Sequence, residues 1–268
     1  MYRLYTTARV FYNPCERGKM CSRMYIDFSS LFHQSSKDLS DKGTVKIPQD
    51  DSLWPKEWST IYYKSYPRVQ KIALDRVKPE ADYFDVLERR HSHRVFDRRI
   101  VKKETLSQLL LFSFGILEKE SMRFPSRAHP SGGGRFPIEI YPIIFLGNKE
   151  IPAGLYHYNV KEHALDVLWQ RPFNTADVAD LFVYEWIQNA SLAIVMTGVF
   201  WRTKMKYGER GYRYVLLEAG HIGENVYLTA EALGLRCCAM GGMRDENIEK
   251  FLDIDGITES VIHSLILG

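Results

Sequence analysis

The chain has 268 residues, 45% of them hydrophobic and 13% aromatic, which is enough for a sizeable core in one large domain or two small ones. Its 36 lysines and arginines slightly exceed its 33 acidic residues, and a formal charge of +3 does not by itself indicate binding to nucleic acids or membranes. Because no run of 18 apolar residues exists and the N-terminus lacks the hydrophobic core of a signal peptide, we expect a cytoplasmic protein.

Residues 1–80 are expected to form an N-terminal arm, and residues 81–268 the main domain. The arm is expected to be irregular, because Pro48, Pro55 and Pro67 would interrupt any long helix. It has more aromatic residues than a flexible linker needs, which indicates that it packs on the main domain or on a partner subunit. These aromatic residues are Trp54, Trp58, Tyr62, Tyr63 and Tyr66.

The four cysteines do not form a recognisable pattern. Cys15 and Cys21 are six positions apart in a polar segment, whereas Cys237 and Cys238 are adjacent in an apolar run. This spacing matches neither a zinc site nor a disulfide framework. Reduced thiols are therefore favoured over a redox pair or half of a metal site.

The stretch 88–97 is basic and contains the pattern Arg-x-Ser-x-Arg. In an extended chain the side chains alternate, so that Arg90, Ser92 and Arg94 would line one face about 6 to 7 Å apart. Two guanidinium groups beside a hydroxyl suit a phosphate, because arginine matches phosphate geometry with paired hydrogen bonds. A solvated basic surface is the alternative, and the pattern taken alone favours it.

Helices are predicted at 82–88 and 104–114, the second with an apolar stripe that is typical of a core helix. A loop follows in which three glycines come after Pro130 and Ser131. Because an apolar strand is predicted directly after it, at 136–146, the loop suits backbone N–H groups that meet a planar or anionic ligand. A simple flexible turn is an equal alternative.

A β-hairpin is predicted at 154–168, around a polar turn, and a fully buried strand at 191–200. His157 and His163 would lie near one another across the hairpin. Since no carboxylate or cysteine stands in ligand spacing, the sequence favours surface histidines over a metal site.

The stretch 204–214 is dense in basic side chains and tyrosines. Gly208 and Gly211 are expected to keep its beginning out of a regular helix. Lys206 and Tyr207 offer two groups for proton transfer, and adjacent side chains converge only where the backbone turns, which Gly208 makes possible. A solvated basic loop is the default interpretation of such a run taken alone.

A long helix is predicted at 212–233 and a strand at 235–240. Among the polar residues beside the apolar face of this helix, Asn225 is the one expected to touch a ligand. The strand ends at Gly241 and Gly242, which would allow the backbone to approach a ligand closely.

Six motifs, in this order, resemble those of the flavin-dependent nitroreductase superfamily, and more narrowly those of its SagB-type dehydrogenase branch. The resemblance covers roughly residues 55–268. It implies an α+β fold with a mixed β-sheet flanked by helices, and a homodimer that binds FMN at the subunit interface. The motifs are 90–97, 130–133, 154–158, 206–213, 219–225, and 232–235 before Gly241 and Gly242.

The resemblance also implies roles for individual residues. The basic pattern corresponds to a clamp on the phosphate and ribityl chain of FMN, and the glycine loop to one that reaches the flavin from the partner subunit. The glycine pair falls where the backbone of the family meets the isoalloxazine edge near N5. The expected cofactor-binding residues are Arg90, His91, Ser92, Arg94, Pro130, Ser131, Gly132, Gly133, Asn225, Gly241 and Gly242.

In the azoline dehydrogenases of this branch an adjacent Lys-Tyr pair serves the chemistry, and Lys206 and Tyr207 match it. The resemblance therefore implies an enzyme in which one of the pair removes a proton from a thiazoline or oxazoline ring of a modified peptide while a hydride passes to flavin N5. Lysine is a competent base only if burial or neighbouring cations lower its pKa. Nearby in sequence, the cations are Arg202, Lys204, Arg210 and Arg213.

Two alternatives stay open: an NAD(P)H-dependent nitro- or quinone reductase, and a catalytically idle scaffold subunit of a peptide-modifying complex. Reductases of the family that use nicotinamide usually carry a further basic pair near the C-terminus, which is missing from Ser264–Gly268. Arg244 either replaces that phosphate contact or is a solvated residue at a helix start.

Overall fold

The computed structural model describes residues 8–14, 20–26, 28–37, 47–48, 50–117 and 126–268. It contains a seven-stranded β-sheet covered by helices on both faces, which confirms the predicted α+β class. The resemblance implies a mixed sheet, whereas the described strand pairs of this sheet are all antiparallel.

The secondary-structure elements are numbered in chain order. The strands are β1 (Ala8–Pro14), β2 (Met20–Ile26), β3 (Lys71–Ala73), β4 (Ile116–Leu117), β5 (Ser126–Arg127), β6 (Ile138–Ile144), β7 (Gly154–Asn159), β8 (Ala164–Gln170), β9 (Leu192–Val199), β10 (Cys237–Met240) and β11 (Glu259–Leu267). The helices are α1 (Phe28–Ser35), α2 (Lys56–Ser59), α3 (Tyr83–Arg89), α4 (Lys103–Phe114), α5 (Thr175–Leu181), α6 (Trp201–Tyr207), α7 (Arg210–Ala232) and α8 (Asp245–Leu252). Short 3-10 helices lie at Asp51–Leu53, Gly132–Gly134 and Glu185–Asn189.

The large sheet has the strand order β10-β11-β9-β6-β7-β8-β3. Its central strands β6, β7 and β9 are buried along their whole length, because helices and loops cover both faces. The sequences of β6 and β9 are rich in apolar and β-branched residues, and β7 contains two tyrosines; such side chains fit a pleated surface buried on both sides. The strands and the hairpin predicted from these runs are confirmed.

Alternate residues of each strand serve two separate cores. In β9, Ile194 and Met196 belong to the core formed with α4 and α7, whereas Val195 belongs to the core formed with α5 and α8. The predicted helices at 82–88, 104–114 and 212–233 correspond to α3, α4 and α7. Within the described part of the chain, no helix combines the length and the apolar character needed to span a membrane.

The N-terminal segment is more regular than its sequence predicts. β1 and β2 form an antiparallel hairpin, and α1 follows it, so the expectation of an irregular arm is wrong here. Of the predicted thiols, Cys15 lies outside the described residues, and for Cys21 only its backbone in β2 is described. Cys237 and Cys238 are buried free thiols, as expected.

Residues 54–73, which we call the strap, cross one face of the molecule from α2 to β3. β3 pairs with β8 at the edge of the large sheet. Along the way, Lys64 forms an ion pair with Glu259 at 2.5 Å, and the ring of Tyr66 meets that of His157 at 5.1 Å. The strap is therefore bonded to the sheet by both polar and aromatic contacts, while the division of the chain near residue 80 stays a prediction.

The two hairpin histidines are buried, so the prediction that they lie on the surface is wrong. His157 bonds Glu139 at 2.9 Å and Asp166 at 3.3 Å, which explains how its ring tolerates burial. His163 bonds the hydroxyl groups of Tyr158 and Ser107. Asp166 and Tyr158 lie in the hairpin itself, whereas Glu139 comes from β6 and Ser107 from α4, where a search within the hairpin does not find them.

Candidate active site

The stretch 90–97 runs along the outer edge of β10 without forming a strand of its own. Its backbone meets the sheet where His93 donates to the carbonyl of Cys237 at 2.9 Å. Farther along, the guanidinium of Arg236 donates a hydrogen bond to the backbone carbonyl of Val95 at 3.0 Å. In a β-strand this carbonyl would instead accept a hydrogen bond from a neighbouring strand.

Arg90 and Ser92 nevertheless converge, because both meet Tyr227 of α7. The hydroxyl of Ser92 lies 2.9 Å from that of Tyr227, and the guanidinium of Arg90 lies 5.3 Å from the centre of its ring. The Tyr227 oxygen also accepts a hydrogen bond from the N–H of Ala239 in β10 at 2.6 Å. Tyr227 therefore joins the predicted clamp to the sheet, a role that its place in a long amphipathic helix did not reveal.

The clamp carries positive charge that the protein does not neutralise locally. Among ion pairs between described residues, none includes Arg90 or Arg94, whereas Arg89 pairs with Glu231 and Arg236 with Asp97. Arg94, Ser92 and the neighbouring His91 are exposed. This combination of accessible guanidinium groups and a hydroxyl fits an anionic ligand.

The two glycines after β10 differ in their surroundings. A Cβ atom on Gly241 would meet no atom within 4 Å, so open space lies beside the backbone there. A Cβ on Gly242 would overlap the ring of Tyr184. Packing of Tyr184 therefore accounts for glycine at position 242, while Gly241 leaves the strand end open to a ligand.

The glycine loop lies against the first half of α7. The Ser131 hydroxyl donates to Glu218 of α7 at 2.5 Å and accepts from the N–H of Phe136 at 2.8 Å. Gly132 packs on the ring of Tyr214, and Gly133 has a φ of 64° beside the hydroxyl of Tyr207. Pro130 is exposed at the start of the loop.

Glu218 is the centre of a cluster of buried polar side chains that the sequence did not indicate. Its second carboxylate oxygen lies 3.3 Å from Nε2 of His129, and both side chains are almost fully buried. Arg127 lies nearby over the ring of Phe136, and burial lowers the pKa of its guanidinium. In the sequence Glu218 was only one of several polar residues beside an apolar helix face.

Lys206 and Tyr207 form the last turn of α6, and Gly208, with a φ of 56°, ends the helix. The expectation that this stretch begins outside a regular helix is therefore wrong. The ring of Tyr207 lies 5.6 Å from Nζ of Lys206 and 5.0 Å from the ring of Tyr214. The pair thus faces the glycine loop through Tyr207.

The amino group of Lys206 is enclosed, and the residue is only 2% exposed. Its Nζ lies 3.5 Å from the centre of the Trp54 ring, which the strap brings to it. Burial, together with the positive charge of Arg135, lowers the pKa of Lys206. Burial and Tyr214 instead raise the pKa of Tyr207.

The cation that acts on Lys206 is not among those expected from the sequence. Arg202 is paired with Glu139 at 2.6 Å, and Lys204 with Glu209 at 3.0 Å. Arg213 donates to the carbonyl of His33 in α1. Apart from burial, the positive charge of Arg135 is what lowers the pKa of Lys206.

The predicted site residues fall into two clusters on α7. Ser92 bonds Tyr227 and Ser131 bonds Glu218, and the step from Glu218 to Tyr227 along the helix corresponds to about 14 Å of its axis. The clamp and Gly241 thus lie toward one end of α7, and the glycine loop with Lys206 and Tyr207 toward the other. A single chain does not bring them into one site.

Two further predicted residues have structural contacts. The amide of Asn225 donates to the carbonyls of Ala128 and Ser113, at 3.3 Å and 3.5 Å, and so links α7 to the loop and to α4. The guanidinium of Arg244 donates to the carbonyl of Ala179 in α5 at 3.1 Å. Within the ranges that the structure describes, no cluster of three histidine, cysteine or acidic side chains is arranged to hold a metal ion.

Comparison with known proteins gives a consistent assignment. The model of the nitroreductase family matches residues 87–268. Over 188 residues the chain is 29% identical to MJ1384 of Methanocaldococcus jannaschii, which is named as a nitroreductase, with 69% of this chain and 89% of that protein covered. It is 30% identical to the trifolitoxin-processing protein TfxB of Rhizobium leguminosarum bv. trifolii, over 53% of this chain and 39% of TfxB. It is 28% identical to the microcin B17-processing protein McbC of Escherichia coli, over 59% of each protein.

Solved structures share the fold. A nitroreductase homologue from Anabaena variabilis aligns with a TM-score of 0.64 at 26% identity, over 89% of this chain and 45% of that one. A chain of the E. coli microcin synthetase McbBCD complex, solved with truncated pro-MccB17 bound, aligns with a TM-score of 0.60 at 22% identity. That alignment covers 90% of this chain and 91% of the other.

Proposed function

The chain belongs to the nitroreductase family, and from this premise we propose that it is an FMN-dependent dehydrogenase of the SagB type. Membership of the family supports an oxidoreductase. The proposed reaction is oxidation of a thiazoline- or oxazoline-type ring in a modified peptide to the corresponding azole. The observation that carries the proposal is a buried Lys206 with a lowered pKa, next to a Tyr207 that faces the glycine loop.

The clamp fits the phosphate end of FMN. Arg90 and Arg94 supply positive charge without a carboxylate partner among the described residues, and the Ser92 hydroxyl meets the same tyrosine, Tyr227, as Arg90. Open space next to Gly241 leaves room for a group at the end of β10. Bound flavin would supply the acceptor for the hydride that leaves the ring.

A second copy of the chain would complete the site. The clamp and the glycine loop lie about 14 Å apart along α7, and the proposed two-fold partner supplies its own glycine loop to the clamp. Leu216 and Leu217 of α7 are exposed, and they offer an apolar surface for such contact. We therefore include a homodimer in the proposal.

The two residues at the end of α6 have different roles in this proposal. A lowered pKa makes Lys206 a candidate base, because more of its amino group is neutral near pH 7 and able to accept the ring proton. A raised pKa keeps Tyr207 protonated, so that its hydroxyl donates a hydrogen bond rather than accepting a proton. Lys206 is thus the proton acceptor, and Tyr207 orients the substrate.

The relatives support this choice of substrate class over a small nitro compound. Two of them, TfxB and McbC, are named for the processing of trifolitoxin and microcin B17. The name of MJ1384 instead favours a nitroreductase, and its match covers more of this chain. The NAD(P)H-dependent reductase therefore remains the second candidate function.

One anaerobic experiment separates the candidates. The protein is loaded with FMN and mixed with a synthetic peptide that contains one thiazoline ring, and the flavin absorbance and the peptide mass are followed. We expect the flavin to bleach while the peptide loses two hydrogens. Bleaching by NADPH without peptide would favour the reductase, and failure to bind FMN at all would contradict both enzymes.

A further inference from the structure

The strap holds Trp54 in a fixed place over Lys206. Arg135, which is almost fully buried, donates to the carbonyl of Trp58 at 2.7 Å and to that of Glu57 at 2.9 Å. Both carbonyls belong to α2, the helix that follows Trp54. The indole N–H of Trp54 donates to the carbonyl of Pro48 at 2.7 Å, so the ring is bonded at its polar end as well.

The contact between the two side chains is close and specific. Nζ of Lys206 lies 3.5 Å from the centre of the Trp54 ring, compared with 6.0 Å for the ring of Trp58. The face of an indole ring attracts an ammonium group, and its bulk excludes water from that group. Trp54 therefore both orients Lys206 and separates it from solvent.

We infer that Trp54 is a positioning residue for Lys206, which it holds in a dry environment at the end of α6. The inference rests on the proton-accepting role proposed for Lys206 above. Trp54 acts through the lysine, because the ring that lies against the amino group affects how readily the lysine takes up a proton.

The charged groups around Lys206 allow the effect of Trp54 to be isolated. On the same helix, Lys204 is already paired with Glu209. From the loop after the glycines, Arg135 lowers the pKa of Lys206, but burial is the larger cause. On the segment packed against the lysine, the titratable side chains are exposed to solvent; these are Asp50, Asp51, Lys56 and Glu57.

Trp54→Ala would replace the ring by water. Water solvates the ammonium group better than an indole ring does, so the pKa of Lys206 should rise toward its ordinary value. Loss of the cation–π attraction acts in the opposite direction, but burial is the first cause of the lowered pKa. Trp54→Phe keeps an aromatic face and should preserve most of the effect.

Competitive labelling with trace acetic anhydride measures the pKa and the accessibility of Lys206 without substrate or flavin. Peptide mass spectrometry gives the labelling rate of each lysine across a pH series. The midpoint of the titration reports the pKa of Lys206, and the plateau at high pH reports its accessibility. For Trp54→Ala we expect the midpoint to rise toward that of an exposed lysine and the plateau to rise severalfold. Trp54→Phe should stay close to the wild type, as should Leu53→Ala, an exposed neighbour.

Two lysines serve as internal controls in the same digests. Lys204 reports the integrity of α6, and Lys64, paired with Glu259, reports whether the strap stays attached. A faster plateau with an unchanged midpoint at Lys206 would make Trp54 a cover only and would overturn the inference. A parallel rise at Lys64 would attribute the change to release of the whole strap and would overturn it as well.

The result is separable from the proposed function. If labelling behaves as expected but Lys206→Ala retains full turnover, the proposed reaction mechanism fails while the contact with Trp54 stands. If turnover requires Lys206 but Trp54→Ala leaves its titration unchanged, the inference about Trp54 alone is lost.

Discussion

The hydroxyl of Ser131 donates to the carboxylate of Glu218 at 2.5 Å and thereby ties the glycine loop to α7. The same helix carries Tyr227, which bonds Ser92 of the clamp. Both parts of the candidate site are therefore attached to α7. Any change in the position of the loop on this helix therefore changes its position relative to the clamp.

Ser131→Ala should lower the free energy of unfolding by about 1–3 kcal/mol, because it leaves Glu218 and the N–H of Phe136 without their partner. Urea denaturation measures the change. Ser59→Ala is the control, since its hydroxyl makes only a local bond on exposed α2, and its effect should stay within about 0.5 kcal/mol. Equal effects of the two substitutions would contradict a special role for Ser131.

Gly133→Ala should reduce turnover more than Gly134→Ala does. Both glycines have a positive φ, so each substitution adds backbone strain of about 1–2 kcal/mol. Only at Gly133 would the new Cβ overlap the hydroxyl of Tyr207, whereas at Gly134 it would meet no atom within 4 Å. The two variants are compared by their turnover of the thiazoline peptide, provided that their stabilities are similar. Equal losses of turnover would show that the contact between the loop and Tyr207 does not contribute to turnover.

The double substitution Arg90→Ala and Arg94→Ala should weaken FMN binding at least about 100-fold, because each charge-assisted hydrogen bond contributes about 1.5–3 kcal/mol. Quenching of flavin fluorescence measures the affinity. Arg68→Ala with Lys149→Ala removes the same charge from two other exposed positions and should leave binding nearly unchanged. Retention of stoichiometric flavin in the clamp variant would refute the assignment.

Lys206→Ala should leave FMN bound and abolish turnover of the thiazoline peptide, because the variant lacks the proton acceptor. Flavin content is measured by absorbance and turnover by peptide mass. Lys204→Ala is the matched control, since it removes a partly exposed lysine from the same helix. Full activity of the Lys206 variant would exclude the proposed role.

Glu139→Gln should destabilise the protein in a pH-dependent manner. Burial would raise the pKa of Glu139, but the guanidinium of Arg202 and the hydrogen bond from His157 lower it from 4.5 to about 2. The stability from the ionised carboxylate, roughly 3 kcal/mol, is therefore fully present above pH 4.5 and is lost as the pH falls toward about 2. Urea denaturation between pH 3 and 7 should show the difference from wild type shrinking at acid pH, and a constant difference would count against ionisation as its source.

The elements of the fold could be predicted because their signals are local. The apolar run at 191–200 and the periodic stripe at 104–114 both appear within a few turns or residues of sequence, and both correspond to observed elements. The clamp residues and the Lys-Tyr pair were also recognised in the sequence. Their status as ligands and catalytic groups stays a prediction.

What escaped prediction depends on contacts between distant parts of the chain. His157 is buried because β6 and β8 bring Glu139 and Asp166 to it. Asp166 is its cross-strand neighbour in the predicted hairpin, but no pattern around His157 indicates Glu139, which comes from β6. Likewise, Lys206 obtains its surroundings from Trp54 and from an arginine that follows the glycine loop. Sequence patterning assigns faces to elements, but it does not state which distant side chain covers which.

The strap also has a consequence for how the chain folds. A chain shortened to residues 87–268, the part that matches the family, would lose β3 and leave the edge of β8 unpaired. Glu259 would lose Lys64, and Asp166 would lose its contacts with Tyr66 and Lys71. An unpaired strand edge favours self-association of the exposed strands. We therefore expect residues 87–268 expressed alone to self-associate, and the chain that keeps the strap to avoid this.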